Sequence, residues 1–186
     1  MMTDKYKNFA ELDANTVTDG VYRVEIEDRQ SDFVVVAPHA GEIEIHTEKI
    51  TLAIARDNYS YYAFIGASKS QHITSSNFDE VKCINLISKS TSVVTVHGKK
   101  DLDSFVMLGG LDKILIHKCK EMLNGNGFVT VEPADNVKGE EESNICNRGI
   151  SKKGLQLEIS RGLRNALAED SDLLIKFSDS IRSVMI

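Results

Sequence analysis

The sequence predicts an α/β protein in which a mixed, partly parallel sheet is flanked by helices. Three observations lead to this fold class. Short strand-like segments recur along the 186-residue chain, and most of them are separated by amphipathic helical segments. Residues 33–37 form a continuous apolar run, which is typical of a strand buried on both faces. The length suits one domain with a core of its own.

Each element is indicated by its own pattern. Residues 21–27 alternate apolar and polar side chains, as a half-buried strand does. The apolar run 33–37 is ended by Pro38, and residues 47–56 have helical spacing with Thr47 in the N-cap position. The remaining predicted strands are 59–65, 92–96, 104–108, 127–131 and 154–159, and the remaining predicted helices are 78–88, 111–123 and 170–185.

Residues 132–153 show no period and contain Pro133, Gly139 and Gly149. We predict a long loop there, and loops of this length in compact domains are often functional. A second site-bearing region is predicted from topology, because the sites of α/β sheets tend to lie at the carboxyl ends of the strands.

Composition excludes several classes of protein. Hydrophobic residues make up 41% and charged residues 27%, as in ordinary soluble proteins. No apolar segment approaches the roughly 20 residues that span a bilayer, and the N-terminal segment lacks the apolar region of a secretory signal. A net charge of −6 provides no global basic field, so no nucleic-acid partner is expected. Three cysteines without CxxC spacing indicate reduced thiols.

Two histidines stand at the ends of predicted strands. His39 follows the apolar run, with Glu42 and Glu44 three and five residues later, and His97 ends another β-branched segment. Two histidines and one carboxylate are the ligand set of many catalytic zinc sites. Spacing alone leaves open that both histidines bond to the backbone, and it does not choose between the two glutamates.

Six motifs occur in order between about residue 33 and residue 164, some two thirds of the chain. They are Ala37–Glu44 (APHAGEIE), Tyr59–Gly66 (YSYYAFIG), His72–Ser75 (HITS), Val96–Gly98 (VHG), Asn147–Gly149 (NRG) and Gly154–Arg164 (GLQLEISRGLR). Together they resemble the phage-type poly-γ-glutamate hydrolase family. Members of that family are similar to zinc carboxypeptidases in fold, carry one catalytic zinc and cleave the γ-glutamyl amide bonds of a bacterial capsule polymer. The resemblance implies a single zinc hydrolase domain over residues 1–186, with a motif-bearing core at about 33–164 and a C-terminal helix at about 170–185.

Carried over residue by residue, the resemblance implies that His39, Glu44 and His97 bind one zinc ion. Glu44 is preferred to Glu42 because the Ile-Glu pair of the family motif falls on Ile43 and Glu44. Glu158 is implied as the general base that takes a proton from the metal-activated water and returns it to the leaving amine. The family usually has glycine where Ala40 stands, which would strain the turn if φ had to be positive there.

The substrate contacts implied by the resemblance are mainly arginines. A chain of γ-linked glutamates presents a carboxylate on every residue, and guanidinium groups bind carboxylates bidentately. The matched residues are Arg148, Arg161 and Arg164, of which Arg148 is favoured; ion pairing with nearby acids is the alternative for the other two. Asn147 with Arg148 is similar to the Asn-Arg pair that holds a substrate carboxylate in zinc carboxypeptidases. Lys99, Lys100, Lys152 and Lys153 are candidate outer contacts.

The other histidines have less defined roles. His72 matches a family motif and either lines the site or hydrogen-bonds a zinc ligand. His46 is predicted at the surface before a helix, with cleft lining as the alternative, and His117 is predicted to be structural.

The implied function is zinc-dependent hydrolysis of poly-γ-glutamate or a γ-glutamyl peptide by metal-activated water. Two alternatives stay open: a zinc amidohydrolase of small N-acyl amino acids or peptides, and a catalytically inactive glutamate-binding protein. We expect a monomer in the cytoplasm with no membrane partner, released, if at all, on cell lysis.

Overall fold

The computed structural model describes residues 4–15 and 20–186, apart from the side chain of residue 136. It confirms the predicted class, with seven strands in one mixed sheet and helices on both faces. The strands are β1 (Arg23–Glu27), β2 (Phe33–Gly41), β3 (Ser60–Gly66), β4 (Ser92–Gly98), β5 (Val106–Gly109), β6 (Thr130–Val131) and β7 (Leu155–Ile159).

Six α-helices and three short 3-10 helices occur in the described ranges. The α-helices are α1 (Phe9–Asp13), α2 (Thr47–Ala55), α3 (Val81–Ile87), α4 (Lys113–Gly125), α5 (Arg161–Glu169) and α6 (Ser171–Arg182). The 3-10 helices are Lys69–Gln71, Asp135–Val137 and Ile145–Asn147. None of the helices in the described part of the chain has the length and apolar character needed to cross a membrane.

Four parallel strands form the centre of the sheet. The strand order is β1-β3-β2-β4-β7-β5-β6. Strands β3, β2, β4 and β7 run parallel to one another, whereas β1 and β5 are antiparallel to their inner neighbours. The carboxyl ends of the four central strands therefore meet at one edge of the sheet.

Successive β2 side chains serve two cores, because side chains alternate across a strand. Val35 packs in a core with residues of α2, α4, α5 and α6. Val34 and Val36 pack in the opposite core with residues of α1 and α3. This explains why the sequence of β2 is continuously apolar.

Strand β2 is longer than the sequence predicted. The prediction ended it at Pro38, but the strand continues to Gly41. The ladder to β3 shifts its register between Ala37 and Ala40, and the ladder to β4 extends only to Val36. Pro38, which has no N–H to donate, lies at this irregularity, where the ladders do not require a donor. His39 is consequently fixed within a strand and does not lie on a loop.

Local caps explain the helices that the sequence analysis missed or placed differently. Asn8 caps α1 by accepting a hydrogen bond from the Glu11 N–H, and Ser160 caps α5 through the Leu163 N–H. Helix α2 has His46 as its N-cap residue, with φ of 76°, where Thr47 was predicted.

Candidate metal centre and cleft

Four candidate site residues lie at the carboxyl edge of the central strands. His39 is near the end of β2, His97 is in β4, and Glu158 is its register partner in β7. Glu44 lies in the turn after β2. The parallel arrangement therefore brings together side chains that are up to 119 positions apart in sequence.

The nitrogen and oxygen atoms of His39, His97 and Glu44 face one another. The two Nδ1 atoms of the histidines are 3.2 Å apart. Glu44 Oε1 is 3.4 Å from His39 Nδ1, and Glu44 Oε2 is 3.8 Å from His97 Nδ1. Ligand atoms bound at about 2.0–2.1 Å to a tetrahedral zinc lie about 3.3 Å from each other. Both the chemistry and the spacing of these donors fit a zinc ion.

Backbone groups orient these side chains. His39 Nε2 lies 2.7 Å from the carbonyl oxygen of Ile73, to which it must donate, so the neutral ring has its lone pair on Nδ1. Gly98 N–H donates to Glu44 Oε2 at 2.9 Å. Ser75 Oγ is 3.4 Å from His97 Nε2.

The electrostatics prepare two of the three groups, His97 and Glu44, for metal binding. Burial lowers the pKa of His97 to about 3, which leaves the ring neutral at neutral pH. Burial alone would raise the pKa of Glu44, but His39 holds it below its ordinary value. In the metal-free protein the same contact raises the pKa of His39 against the effect of its burial. A neutral imidazole beside an ionised carboxylate is the form of this set that can ligate a cation.

The structure distinguishes the two glutamates of the turn. Glu44 lies against both histidines, whereas Glu42 is exposed at the cleft. Ala40 continues β2, and the left-handed conformation falls on Gly41 with φ of 71°. Alanine at position 40 is thus accommodated without strain.

His72 adjoins the same cluster. Its ring centroid is 4.1 Å from that of His39, and one donor atom each from His39, Glu44 and His72 lie within 4.8 Å of one another. His72 Nδ1 is 2.7 Å from Asp4 Oδ1. The described residues thus offer a second possible metal-binding triad that shares two members with the first.

Glu158 lies in the cleft and, among the described residues, makes no hydrogen bond to a histidine nitrogen. Gln156 Nε2 donates to its Oε1 at 3.2 Å. Burial, followed by repulsion from the Glu44 carboxylate, raises the pKa of Glu158 to about 8. A carboxyl group in this range and position can exchange a proton near neutral pH.

A cleft of about 690 Å³ extends from this site. Arg161 lines it and donates from Nε to Asn165 Oδ1 at 2.8 Å. Its Nη atoms have no hydrogen-bond partner among the described residues, so they are available to a ligand. The lysine side chains along the cleft are Lys69, Lys99 and Lys100, and the acidic side chains are Glu42, Glu44, Asp101 and Glu158.

Arg148 does not line the cleft, contrary to the prediction that it binds substrate. Its guanidinium donates to the backbone carbonyls of Ser143, Phe78 and Ser76 at 2.7, 2.8 and 2.6 Å. These bonds occupy Nε and both Nη atoms. The residue ties the long loop to the segment after β3.

Asn147 is likewise buried in the loop and is not a carboxylate-binding group. Its Oδ1 accepts from the N–H groups of Leu111 and Gly154, each at 3.2 Å. Its Nδ2 donates to the carbonyls of Gly139 and Glu141 at 2.8 and 2.9 Å. All of its hydrogen-bonding capacity therefore serves the loop.

Arg164 borders the cleft but is nearly inaccessible, with 3% of its surface exposed. It donates to the carbonyls of Ile159, Ile45 and Lys99. The predicted substrate role of Arg164 is therefore not supported, and the guanidinium instead holds the strand ends that carry the site.

Several other candidates lie outside the cleft lining. His46 is half-buried, and His117 is exposed on α4 beside Glu121. Lys152 and Lys153 do not line the cleft, unlike Lys99 and Lys100. All three cysteines are buried and unpaired: Cys83, Cys119 and Cys146.

Comparison with known proteins identifies relatives over almost the whole chain. The SPbeta prophage-derived UPF0714 protein YoqZ of Bacillus subtilis (strain 168) is 31% identical over 173 residues, which are 90% of this chain and 62% of YoqZ. The chain thus spans less than two thirds of that relative. A solved structure of a bacteriophage poly-gamma-glutamate hydrolase superposes with a TM-score of 0.92 at 28% identity, covering 98% of this chain and 97% of the other. A structure of zinc-free apo-YndL has a TM-score of 0.90 at 27% identity and covers 98% of both chains.

The family model described as poly-gamma-glutamate hydrolase matches residues 6–181. That range includes every strand of the sheet and all the side chains at its carboxyl edge. The chain therefore belongs to the poly-gamma-glutamate hydrolase family.

Proposed function

We propose that this chain is a zinc-dependent hydrolase that cleaves the γ-glutamyl amide bonds of poly-γ-glutamate. The observation that carries the proposal is the set of His39, Glu44 and His97 donor atoms at the spacing of zinc ligands, with Glu158 paired in register to His97 and lining the same cleft as Glu44. Family membership and the likeness to a bacteriophage poly-gamma-glutamate hydrolase support the substrate class.

His39, Glu44 and His97 would hold one zinc ion. When bound, zinc supplies Lewis-acid chemistry, polarising the scissile carbonyl and lowering the pKa of the attacking water. The chain's own contribution is to orient His39 through the carbonyl of Ile73, to keep His97 neutral and to keep Glu44 ionised.

Glu158 would act as the general base and then as the general acid. It accepts a proton from the attacking water and delivers it to the nitrogen of the leaving amine, so that the carboxyl returns to its starting state. Its position in the cleft supports this role, as does its elevated pKa of about 8 in the metal-free protein.

Arg161 is the residue that we assign to the α-carboxylate of a γ-linked glutamate. Its Nε is fixed by Asn165, and its Nη atoms face no partner among the described residues. A planar guanidinium held in this way can bind a carboxylate through two parallel hydrogen bonds. Lys69, Lys99 and Lys100 add positive charge along the same cleft.

The test is hydrolysis of purified poly-γ-glutamate, followed by chain-length analysis. Zinc-loaded wild type should shorten the polymer, whereas chelated wild type and zinc-loaded Glu158→Gln should not. Glu42→Gln is the matched control, because Glu42 is an exposed carboxylate of the same cleft away from the histidines. Its activity should stay within a few-fold of wild type.

Intact polymer in the presence of zinc-loaded wild type would contradict the substrate assignment and would direct attention to small N-acyl amino acids. Full activity of Glu158→Gln would contradict the role of the base.

A further inference from the structure

The N-terminal segment reaches the metal centre through Asp4. Both oxygens of this carboxylate are engaged: Oδ1 is 2.7 Å from His72 Nδ1, and Oδ2 accepts from the Thr74 N–H at 2.7 Å. Asp4 is therefore bonded at two points to the segment 72–75, although it lies about 70 positions earlier in the chain.

The segment 72–75 touches both candidate histidine ligands. The Ile73 carbonyl accepts from His39 Nε2, and Ser75 Oγ lies next to His97 Nε2. The His72 ring stacks against His39 at a centroid distance of 4.1 Å. A displacement of this segment would therefore disturb the orientation of both rings.

The contact with Asp4 also selects the tautomer of His72. An ionised carboxylate only accepts hydrogen bonds, so the proton of the neutral ring must be on Nδ1. The lone pair is then on Nε2, which is the nitrogen left free by Asp4. A carboxylate that fixes a histidine in this way is the usual partner of a metal-bound imidazole.

The His72 ring is within reach of the centre. A donor atom of His72 lies within 4.8 Å of those of His39 and Glu44. The donor atoms of the other triad are 3.2 to 3.8 Å apart. His72 is thus placed beside that triad as a fourth candidate donor.

We propose that Asp4 is a positioning residue of the metal centre, which presents Nε2 of His72 as an additional metal ligand beside His39, Glu44 and His97. The inference rests on the proposed metal centre but not on the identity of the substrate. The N-terminal segment then contributes to metal affinity, in addition to the residues at the strand ends.

The experiment measures metal binding without substrate. Zinc affinity is determined by competition with a chromophoric chelator, and the visible absorption of the Co²⁺-substituted protein reports the ligand set. Asp4→Ala and His72→Gln should each weaken zinc binding by about 10-fold or more, the usual cost of losing a group that supports a ligand. Both should also change the Co²⁺ spectrum.

Two variants serve as matched controls. Asp79→Ala removes another carboxylate that holds the N-terminal segment, by accepting from the Phe9 N–H at 2.7 Å, but Asp79 makes no hydrogen bond to a histidine of the described residues. His117→Gln removes an exposed histidine on α4. Both should keep the wild-type affinity and spectrum.

Unchanged zinc affinity and an unchanged Co²⁺ spectrum in Asp4→Ala and His72→Gln would overturn the proposal. An equal loss of affinity in Asp79→Ala would also overturn it, because general loosening of the segment would then explain the effect. Tight, Asp4-dependent zinc binding by a protein that leaves poly-γ-glutamate intact would support the inference while refuting the proposed substrate.

Discussion

Glu158 shows how its surroundings give one side chain its chemistry. Its own strand alternates, so that Leu157 and Ile159 enter the core while Glu158 faces the cleft. There the loss of water and the nearby Glu44 carboxylate both favour its protonated form. This coupling makes the stability of the metal-free protein depend on pH.

We expect Glu158 to destabilise the metal-free fold as the pH rises. Its folded pKa of about 8 is above the ordinary value of 4.5, so the folded state binds its proton more tightly than the unfolded state. The stabilisation is fully present below the unfolded pKa and is lost as the pH rises through about 8. The free energy of unfolding of wild type should therefore fall relative to Glu158→Gln across this window.

Urea unfolding of both metal-free proteins between about pH 5 and about pH 9 measures this difference. Because both proteins retain His97 and Glu44, the titration of those groups largely cancels in the comparison. Parallel pH profiles for the two proteins would contradict the elevated pKa of Glu158.

Arg161 should control substrate affinity. A hydrogen bond to a charged group contributes about 1.5–3 kcal/mol, so Arg161→Ala should raise KM for poly-γ-glutamate by about 10- to 100-fold. The value of kcat per bound zinc should change much less, since the contact is also made in the ground state. Steady-state kinetics with Arg161→Ala and Arg161→Lys provide the measurement, and an unchanged KM in both variants would refute the assignment.

The sequence places His39 and His97 near the ends of neighbouring strands, but it does not predict the hydrogen-bond partners of the arginines. His39 and His97 each end a recognisable strand, and parallel strands bring their ends together whatever the loops do. Arg148 was favoured for a substrate because it lies in a loop with a family motif. The carbonyl groups to which it donates are up to 72 positions away in sequence, so no local pattern predicts them.

At the scale of elements, the loop 132–153 is held in place by hydrogen bonds from its own side chains to backbone groups. The side chains of Asn147 and Arg148 both donate hydrogen bonds to backbone carbonyls. Removal of such a group leaves carbonyls without donors, and this is costly for the partly buried ones. The loop should therefore affect stability more than substrate affinity.

Arg148→Ala is expected to lower the free energy of unfolding by about 2–4 kcal/mol, from the loss of its bonds to three carbonyls. The KM of the folded variant for poly-γ-glutamate should stay within about two-fold of wild type. This is the opposite of the pattern expected for Arg161→Ala. Denaturant unfolding and kinetics on the same preparation test both parts. A KM increase like that of Arg161→Ala with no loss of stability would show that Arg148 contacts the substrate.

Elements with a strong local pattern were predicted well, and those set by tertiary contacts were not. The β-branched runs of β2 and β4 mark central strands, and their positions agree with the prediction at the start. Helix α1 has five residues, too few for a helical repeat to stand out. The extension of β2 beyond Pro38 depends on the irregular ladder to β3, which a single strand's sequence does not encode.

At the scale of the whole molecule, the average charge conceals the character of the site. The chain carries a net charge of −6, but the cleft lining has five basic residues (Lys69, Lys99, Lys100, Arg161 and Arg164) alongside four acidic ones (Glu42, Glu44, Asp101 and Glu158). Zinc would add further positive charge next to them. A polyanionic substrate is thus compatible with an acidic protein because the local field, rather than the total charge, acts on a bound ligand.

In the proposed function, one zinc ion at this centre enables the chain to cleave poly-γ-glutamate. A stoichiometric titration tests this: zinc is added stepwise to metal-free protein, at a protein concentration well above the dissociation constant, and polymer chain length is followed. We expect no shortening without zinc, activity that rises in proportion to added metal, and a plateau at one equivalent. Shortening of the polymer by rigorously metal-free protein, or a plateau at two equivalents, would contradict it.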